Sequence, residues 1–232
     1  MATRLELIEQ LKLNYEIPYV SDKGEIVDST TVTINEHRQG VSISYVLCQS
    51  TEEKLNLLFP AEGVDHLVQL IKKILQDLEI KPANIILQIW EYSPVNRLYS
   101  LEGRAPVNKQ RDTVLLILTK APFVYKFGYE LVLWHQAMHA KDRWEYRFPS
   151  THPLLEAAEW LDVLWHFSID GRLERLAKPH YSKAERLEEA IRILPGLQAR
   201  VRGLGDELWG KEVTLTQLLE IGQGLGLKLP IL

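Results

Sequence analysis

The stretch 134-WHQAMHAKDRW-144 places two histidines, His135 and His139, four residues apart in an apolar segment. Residues at this spacing lie on one face of a helix, about one turn apart. The two imidazoles can therefore approach a common atom, and two neutral imidazoles supply half of a tetrahedral zinc site. The spacing fits a metal site, but it also fits two histidines that form hydrogen bonds inside a core. The segments before and after this stretch help to choose between a metal site and a hydrogen-bonded core.

The half of the chain before this stretch mixes strand and helix patterns. TTVTINE at 30–36 and VSISYVL at 41–47 alternate apolar with polar residues, and the HRQG between them suits a tight turn, so they predict a hairpin. The polar segment 93–112 predicts a long loop with room for one turn of helix. The predicted elements are helices at 2–12 and 64–78 and strands at 30–36, 41–47, 54–59, 85–92 and 113–119, the last of them central in the sheet.

The half of the chain that contains the histidine pair has helical periodicity throughout. Its predicted helices cover 127–146, 153–177, 182–193, 196–208 and 214–222. Pro153 suits the first turn of the second of these helices. The fold class is therefore α+β, with an α/β subdomain and a small sheet at 1–120 and a mostly helical subdomain at 121–232. We expect the two subdomains to form one compact unit.

The helix that follows the histidine pair carries an unusual polar ridge. In 160-WLDVLWHFSIDGRLERLA-177 the apolar residues occupy nearly the whole circumference, as in a buried helix. Asp162, His166, Asp170 and Glu174 nevertheless recur at every fourth position. Buried carboxylates are rare unless they are paired or bind a metal. Two interpretations remain open: one acid completes a His/His/carboxylate metal site, or the acids pair with nearby arginines, namely Arg143, Arg147, Arg172 and Arg175.

These features resemble the zincin metallopeptidases, whose motif H-E-x-x-H binds zinc through two histidines and uses the glutamate as general base. The resemblance is close over 135–139 and looser over about 113–177, in the order of strand, site helix and acidic helix. It implies a zincin-like fold, Zn²⁺ as cofactor and a peptide or protein as substrate. It also implies that His135 and His139 are the first two metal ligands.

The third ligand implied by the resemblance comes from a later helix, as in the gluzincin and aspzincin branches. Asp170 is the first choice and Glu174 the second, although Glu174 could instead orient a ligating histidine from behind. His166 is the third choice. The metzincin spacing would select Glu145 instead, but Asp142 stands where that branch has a glycine.

The chain departs from the zincin motif at Gln136, which occupies the position of the catalytic glutamate. A glutamine amide cannot accept a proton, and losing a general base typically lowers the rate by about 10²- to 10⁴-fold. Three explanations remain open: a natural pseudoenzyme, a deliberate substitution, or another acid serving as base. The candidates for that acid are Glu130, Asp142 and Glu145. The expected function is a zinc metallopeptidase-like hydrolase that is weak or inactive as written. The alternative is a non-catalytic metal-binding, scaffold or regulatory protein.

Composition bears on the kinds of site and partner that the protein can have. The 232-residue chain has a net charge of -4 and a single cysteine, Cys48, which excludes a disulfide framework and a thiolate zinc cluster. It has no long basic run and no apolar stretch near the roughly 20 residues that a membrane span needs. We therefore expect a cytoplasmic protein that binds neither nucleic acid nor membrane. Its oligomeric state is left open.

Overall fold

A computed structural model describes residues 14–20, 26–48, 61–90, 105–119, 129–149 and 158–228. The chain divides into two compact units, Met1–Tyr129 and Glu130–Leu232, slightly after the sequence-based boundary at 120/121. The α+β class is confirmed, since all the described strands precede residue 120 and most of the described helices follow it. The predicted helix at 2–12 and the predicted strand at 54–59 lie outside the described residues.

The first unit contains a mixed six-stranded sheet. Its order is β1-β2-β3-β4-β6-β5. The neighbours β3–β4 and β4–β6 are parallel, whereas the other three pairs are antiparallel. The described elements of this unit are β1 (Asn14–Val20), β2 (Ile26–Arg38), β3 (Val41–Cys48), α1 (Ala61–Asp77), β4 (Asn84–Trp90), β5 (Val107–Asn108) and β6 (Thr113–Thr119).

The predicted hairpin is confirmed as β2 and β3, joined by Gln39 and Gly40. Both turn residues have positive φ, 51° and 79°, which is the backbone that tight two-residue hairpin turns require. Two other expectations need correction. The predicted loop at 93–112 contains the short strand β5, and β6 lies between β4 and this short strand near one edge, so it is not central. Period-two patterns identify strands but not their order in a sheet.

The core of the first unit forms between α1 and the sheet. Along β6 buried and half-buried residues alternate, as expected of a strand with one face on the core. The helix contributes residues at helical spacing to the same core. The buried apolar residues of these two elements are Leu67, Val68, Ile71, Ile74 and Leu75 on the helix and Val114, Leu116 and Leu118 on the strand.

The described chain after β6 contains five helices, and each matches a predicted helix. They are α2 (Tyr129–Trp144), α3 (Glu159–Arg175), α4 (Lys183–Ile193), α5 (Gln198–Leu208) and α6 (Leu215–Gly224). Ser182 and Thr214 each begin a helix with a capping box, which satisfies exposed backbone donors of the first turn. Helix α3 begins later than predicted, because Ala158 before it is not helical. Pro153 lies outside the described residues.

Helix α3 is the centre of the second unit and packs against α4, α5 and α6. Its residues from Val163 to Leu173 are all buried, as its apolar circumference predicts. Gly171 fixes its approach to the α5–α6 link, because a Cβ at that position would lie 2.1 Å from the backbone nitrogen of Gly210. Of the polar ridge of α3, His166 and Asp170 are buried, whereas Glu174 is exposed.

Candidate metal centre

Helix α2 buries the two histidines of the WHQAMH stretch. Every residue from Val132 to Ala140 is buried, so both imidazoles lie in an apolar environment. The Nε2 atoms of His135 and His139 are 3.2 Å apart, and their rings meet edge to face with centroids 4.8 Å apart. Two nitrogens bound to one tetrahedral zinc at 2.0–2.1 Å would be separated by about 3.3 Å. The helix therefore presents the pair at the separation that a shared ion requires.

His166 of α3 is the third member of the cluster. Its ring centroid lies 4.7 Å from that of His135 and 5.4 Å from that of His139. One nitrogen from each ring can be chosen so that all three lie within 4.8 Å of one another. The three residues are 0%, 4% and 1% exposed in the order His135, His139, His166. Within the described residues this is the group of side chains that could hold a metal ion, and no carboxylate belongs to it.

Several ring nitrogens of this cluster lack hydrogen-bond partners. Nδ1 of His139 and both ring nitrogens of His166 are buried without one. Nearly all buried polar atoms in folded proteins have a partner, so a concentration of exceptions calls for an explanation. Imidazole nitrogen is a common ligand of zinc and other transition metals. The three rings therefore fit a metal ion by donor type, the His135–His139 pair also fits it by spacing, and His166 adds two ring nitrogens without hydrogen bonds.

Asp170 lies behind His135 in this arrangement. Its Oδ1 is 3.1 Å from His135 Nδ1 and also accepts a hydrogen bond from the backbone N–H of Tyr181 at 3.2 Å. Arg186 donates from Nε to Oδ2 at 2.6 Å. Burial would raise the pKa of Asp170, but His135 and Arg186 together hold that pKa well below its usual range. The ionised carboxylate accepts the Nδ1 proton of His135, which leaves the Nε2 lone pair facing His139.

Carboxylates also flank His166 on both sides of its ring. Asp162 Oδ1 is 3.5 Å from Nε2, and Glu189 Oε2 of α4 is 3.6 Å from Nδ1. Burial lowers the pKa of His166, but Asp162 and Glu189 outweigh that effect and raise it. The same negative charges that favour a proton on this ring also favour a metal cation beside it.

His139 is held in the neutral form. Burial is the largest cause that lowers its pKa, and the neighbouring His135 and His166 lower it further. A neutral imidazole has a lone pair for a metal, whereas an imidazolium does not. Its ring also lies edge-on to Trp165, with centroids 4.2 Å apart, which restricts its orientation. The ring is thus both oriented and unprotonated near neutral pH.

The other acids considered from the sequence make different contacts. Glu174 is exposed and accepts a hydrogen bond from Trp209 Nε1 at 2.6 Å. Glu145 pairs with Lys141 and Arg147, at 2.8 and 2.9 Å. Neither carboxylate is among the contacts of the three imidazoles described above.

Two other acids considered as substitute bases, Asp142 and Glu130, have different surroundings. Asp142 is buried and accepts hydrogen bonds from both terminal nitrogens of Arg172 and from Trp165 Nε1. Glu130 is exposed. Gln136 itself is buried with 2% exposure, directly after His135 on α2.

Pairing of ridge acids with arginine does occur, but Asp170 does not use an arginine near it in sequence. Its partner Arg186 comes from α4, as does Glu189 beside His166. Sequence reasoning missed both residues. Their only local signal is a capped, amphipathic helix, which is typical of a surface helix. The arginine that was expected nearby, Arg172, pairs with Asp142 instead.

Comparison of the chain with protein-family models, curated proteins and solved structures gives no match. Among the helices of the described ranges, none is both long and apolar enough to cross a membrane. The functional argument therefore rests on the residues of the cluster.

Proposed function

We propose that the chain is a zinc-binding protein of the metallopeptidase type, with weak or no hydrolytic activity as written. The observation that carries this proposal is the buried set of three imidazoles, His135, His139 and His166, with ligand atoms within 4.8 Å of one another. The order of site helix and later acidic helix is the one that zincins use, and a zincin-like fold is part of the proposal. Peptides or proteins are the substrate class that this resemblance suggests.

Zinc is favoured by the chemistry of the donors. Imidazole nitrogen suits Zn²⁺ and its transition-metal neighbours, whereas Mg²⁺ and Ca²⁺ prefer oxygen ligands. In the proposed site His135, His139 and His166 hold the ion, and Asp170 orients His135 through Nδ1. Asp170 and Glu189 carry two negative charges against the single positive charge of Arg186. The surroundings therefore offset part of the charge of a divalent cation.

Gln136 limits what such a site can do. When bound, zinc supplies Lewis-acid chemistry, polarising a carbonyl group and acidifying water. A hydrolase needs a neighbouring group to take the proton and pass it to the leaving group, and the amide of Gln136 cannot do so. We therefore infer that the chain retains ion binding and loses efficient proton transfer.

A non-catalytic regulator or scaffold that keeps the metal is the second candidate. Its support is the burial of the site, because Gln136 and the three imidazoles are each at most 4% exposed. Structural zinc sites are closed, whereas catalytic sites keep an open position for substrate. The two candidates agree on metal binding and differ in whether activity can be restored.

Metal analysis of the full chain, purified without added metal, tests the shared part of the proposal. We expect close to one equivalent of zinc in the native chain and a large loss in His135→Ala and His166→Ala. His66→Ala is the matched control, because it removes an exposed histidine of α1. A native chain without zinc that also fails to bind added zinc would exclude the proposal.

Restoration of the general base separates the two candidates. We expect Gln136→Glu to cleave unfolded protein or peptide libraries in a zinc-dependent way. The rate should exceed that of the native chain by at least about 10²-fold, the contribution of a general base. The control is Gln136→Glu combined with His139→Ala, which should be inactive. Zinc binding without any gain of cleavage in Gln136→Glu would favour the scaffold.

A further inference from the structure

Arg186 of α4 holds two carboxylates at once. Its Nε donates to Asp170 Oδ2 at 2.6 Å, and its Nη1 donates to Glu189 Oε2 at 2.7 Å. Arg186 is only 3% exposed. Its guanidinium carbon lies 4.1 Å from the ring centroid of Tyr181, a cation–π contact that fixes the plane of the group. A lysine in this place could not offer the same planar fork to two acids.

The two carboxylates held by Arg186 lie behind two different imidazoles of the cluster. Asp170 is 3.1 Å from Nδ1 of His135, and Glu189 is 3.6 Å from Nδ1 of His166. Each acid thus lies within 3.6 Å of an imidazole nitrogen, and a carboxylate released there would compete with the imidazole for an ion. Carboxylate oxygen shifts preference toward Mg²⁺, Ca²⁺ and Mn²⁺.

The charge of Arg186 has two opposing effects on a metal ion. Its Nη2 lies 3.3 Å from Nδ1 of His135, so the positive charge opposes a second cation nearby. It also pairs with and restrains two carboxylates that would otherwise be available to bind the ion through oxygen. The first effect lowers the affinity for every divalent metal, whereas the second selects among metals. We therefore expect the effect of Arg186 to appear in the relative affinities for different metals.

We propose that Arg186 is the residue that determines metal specificity, because it keeps Asp170 and Glu189 as orienting groups and leaves three nitrogens as the protein ligands. This inference rests on the proposed zinc site. An all-nitrogen protein ligand set favours four-coordinate Zn²⁺ or Co²⁺ over oxygen-preferring Mn²⁺. Asp162, which also faces His166, lies on a more exposed side, with 37% of its side chain accessible.

The test uses Co²⁺ as a spectroscopic probe of the full chain, together with competition between Zn²⁺ and Mn²⁺. We expect intense visible absorption, typical of four-coordinate Co²⁺, in the native chain. In Arg186→Met the absorption should weaken several-fold as carboxylate oxygen enters. The preference for Zn²⁺ over Mn²⁺ should fall by about 10-fold or more, the scale on which outer partners act on metal sites. Arg192→Met, an exposed arginine of the same helix, is the matched control and should change neither value.

Two further variants connect the change to the released acids. Adding Asp170→Asn and Glu189→Gln to Arg186→Met should restore the intense spectrum, because the amides are weaker ligands. Arg186→Lys serves if Arg186→Met does not melt cooperatively, and it should give a smaller change in the same direction. An unchanged Co²⁺ spectrum and an unchanged Zn²⁺/Mn²⁺ preference in the folded Arg186 variants would overturn this inference. Failure of the native chain to bind Co²⁺ or Zn²⁺ would instead overturn the proposed site.

Discussion

Two buried aspartates of neighbouring helices, Asp142 on α2 and Asp170 on α3, are each paired with an arginine and differ in what lies beyond the pair. Asp142 accepts hydrogen bonds from Arg172 and from Trp165 Nε1, all at 2.6–2.7 Å. Asp170 accepts from Arg186 and a backbone N–H, and its other neighbour is His135. The Asp142 group joins two helices, whereas the Asp170 group supports an imidazole that faces two more.

This difference shows why a buried ion pair is a poor indicator of function by itself. Both aspartates are fully buried and both satisfy the rule that a buried charge needs a partner. What distinguishes them is that Asp170 contacts His135, whose ring meets those of His139 and His166, where ring nitrogens lack hydrogen bonds. Unsatisfied ligand atoms beside a well-held carboxylate indicate a binding site, whereas a network that is complete indicates a structural contact.

Breaking the Asp142 pair should have the largest effect on folding and little effect on metal. Arg172→Met leaves a buried carboxylate without its cation, which costs about 3–5 kcal/mol of unfolding free energy. Urea denaturation measures this loss, and metal analysis of the folded fraction should still give the native zinc content. Loss of zinc from a folded Arg172→Met chain would mean that the two aspartate groups are not separate in function.

Removing one imidazole should instead have a large effect on metal binding and little effect on folding. We expect His139→Ala to weaken zinc binding by more than about 100-fold, because a direct ligand should exceed the 10- to 100-fold effect of an outer partner. Competition with a chromophoric chelator measures the affinity. His66→Ala, at an exposed histidine of α1, is the control and should bind as the native chain does. Equal affinities in both variants would contradict a role for His139 as a ligand.

The effect of Asp170→Asn on zinc binding should lie between those of Arg172→Met and His139→Ala. The amide keeps the shape of the side chain but no longer favours a proton on His135 Nδ1, so we expect zinc affinity to fall by about 10- to 100-fold. Calorimetric titration of zinc gives the value, with Asp142→Asn as the control from the other aspartate group. A larger loss in Asp142→Asn than in Asp170→Asn would reverse the assignment of the two groups.

The smallest effect is expected for the pair of exposed Glu212 with half-buried Arg147, whose Oε2 and Nη1 atoms are 2.8 Å apart. The hydrogen bond from Arg147 lowers the pKa of Glu212 from its ordinary 4.5. A lowered carboxylate pKa contributes stability that is present above the ordinary pKa and is lost as the pH falls through the folded value. Because Glu212 is largely exposed, Glu212→Gln should cost less than about 1 kcal/mol at pH 7. The difference from the native chain should shrink in acid melts, and a difference that grows with acidity would contradict the assignment.

The sequence was sufficient for most elements because their signals are local. The hairpin around Gly40 and the helices from Lys183 onward follow from hydrophobic periodicity, from turn residues and from the glycines and prolines between segments. Strand order was less accessible, since it depends on pairing between distant segments. The two-residue strand Val107–Asn108 is too short to show a periodic pattern. Its pairing with Thr113 and Val114 is known only from the folded sheet.

The site was predictable in part for a similar reason. His135 and His139 are marked by their spacing on one helix, and His166 belonged to the ridge but ranked below Asp170 as a ligand. A helix that is apolar all round does not indicate which of its polar residues faces a given neighbour. Arg186 lies 51 residues after His135, so only the packing of α4 against α3 brings it to the site.

X-ray absorption at the zinc edge, on the full chain loaded with one equivalent of zinc, tests the central claim most directly. The proposal predicts a shell of nitrogen and oxygen neighbours at about 2.0–2.1 Å, with the outer scattering of three imidazoles. His166→Ala should reduce that outer scattering by one imidazole. A spectrum without imidazole scattering, or one that His166→Ala leaves unchanged, would contradict a zinc site built from His135, His139 and His166.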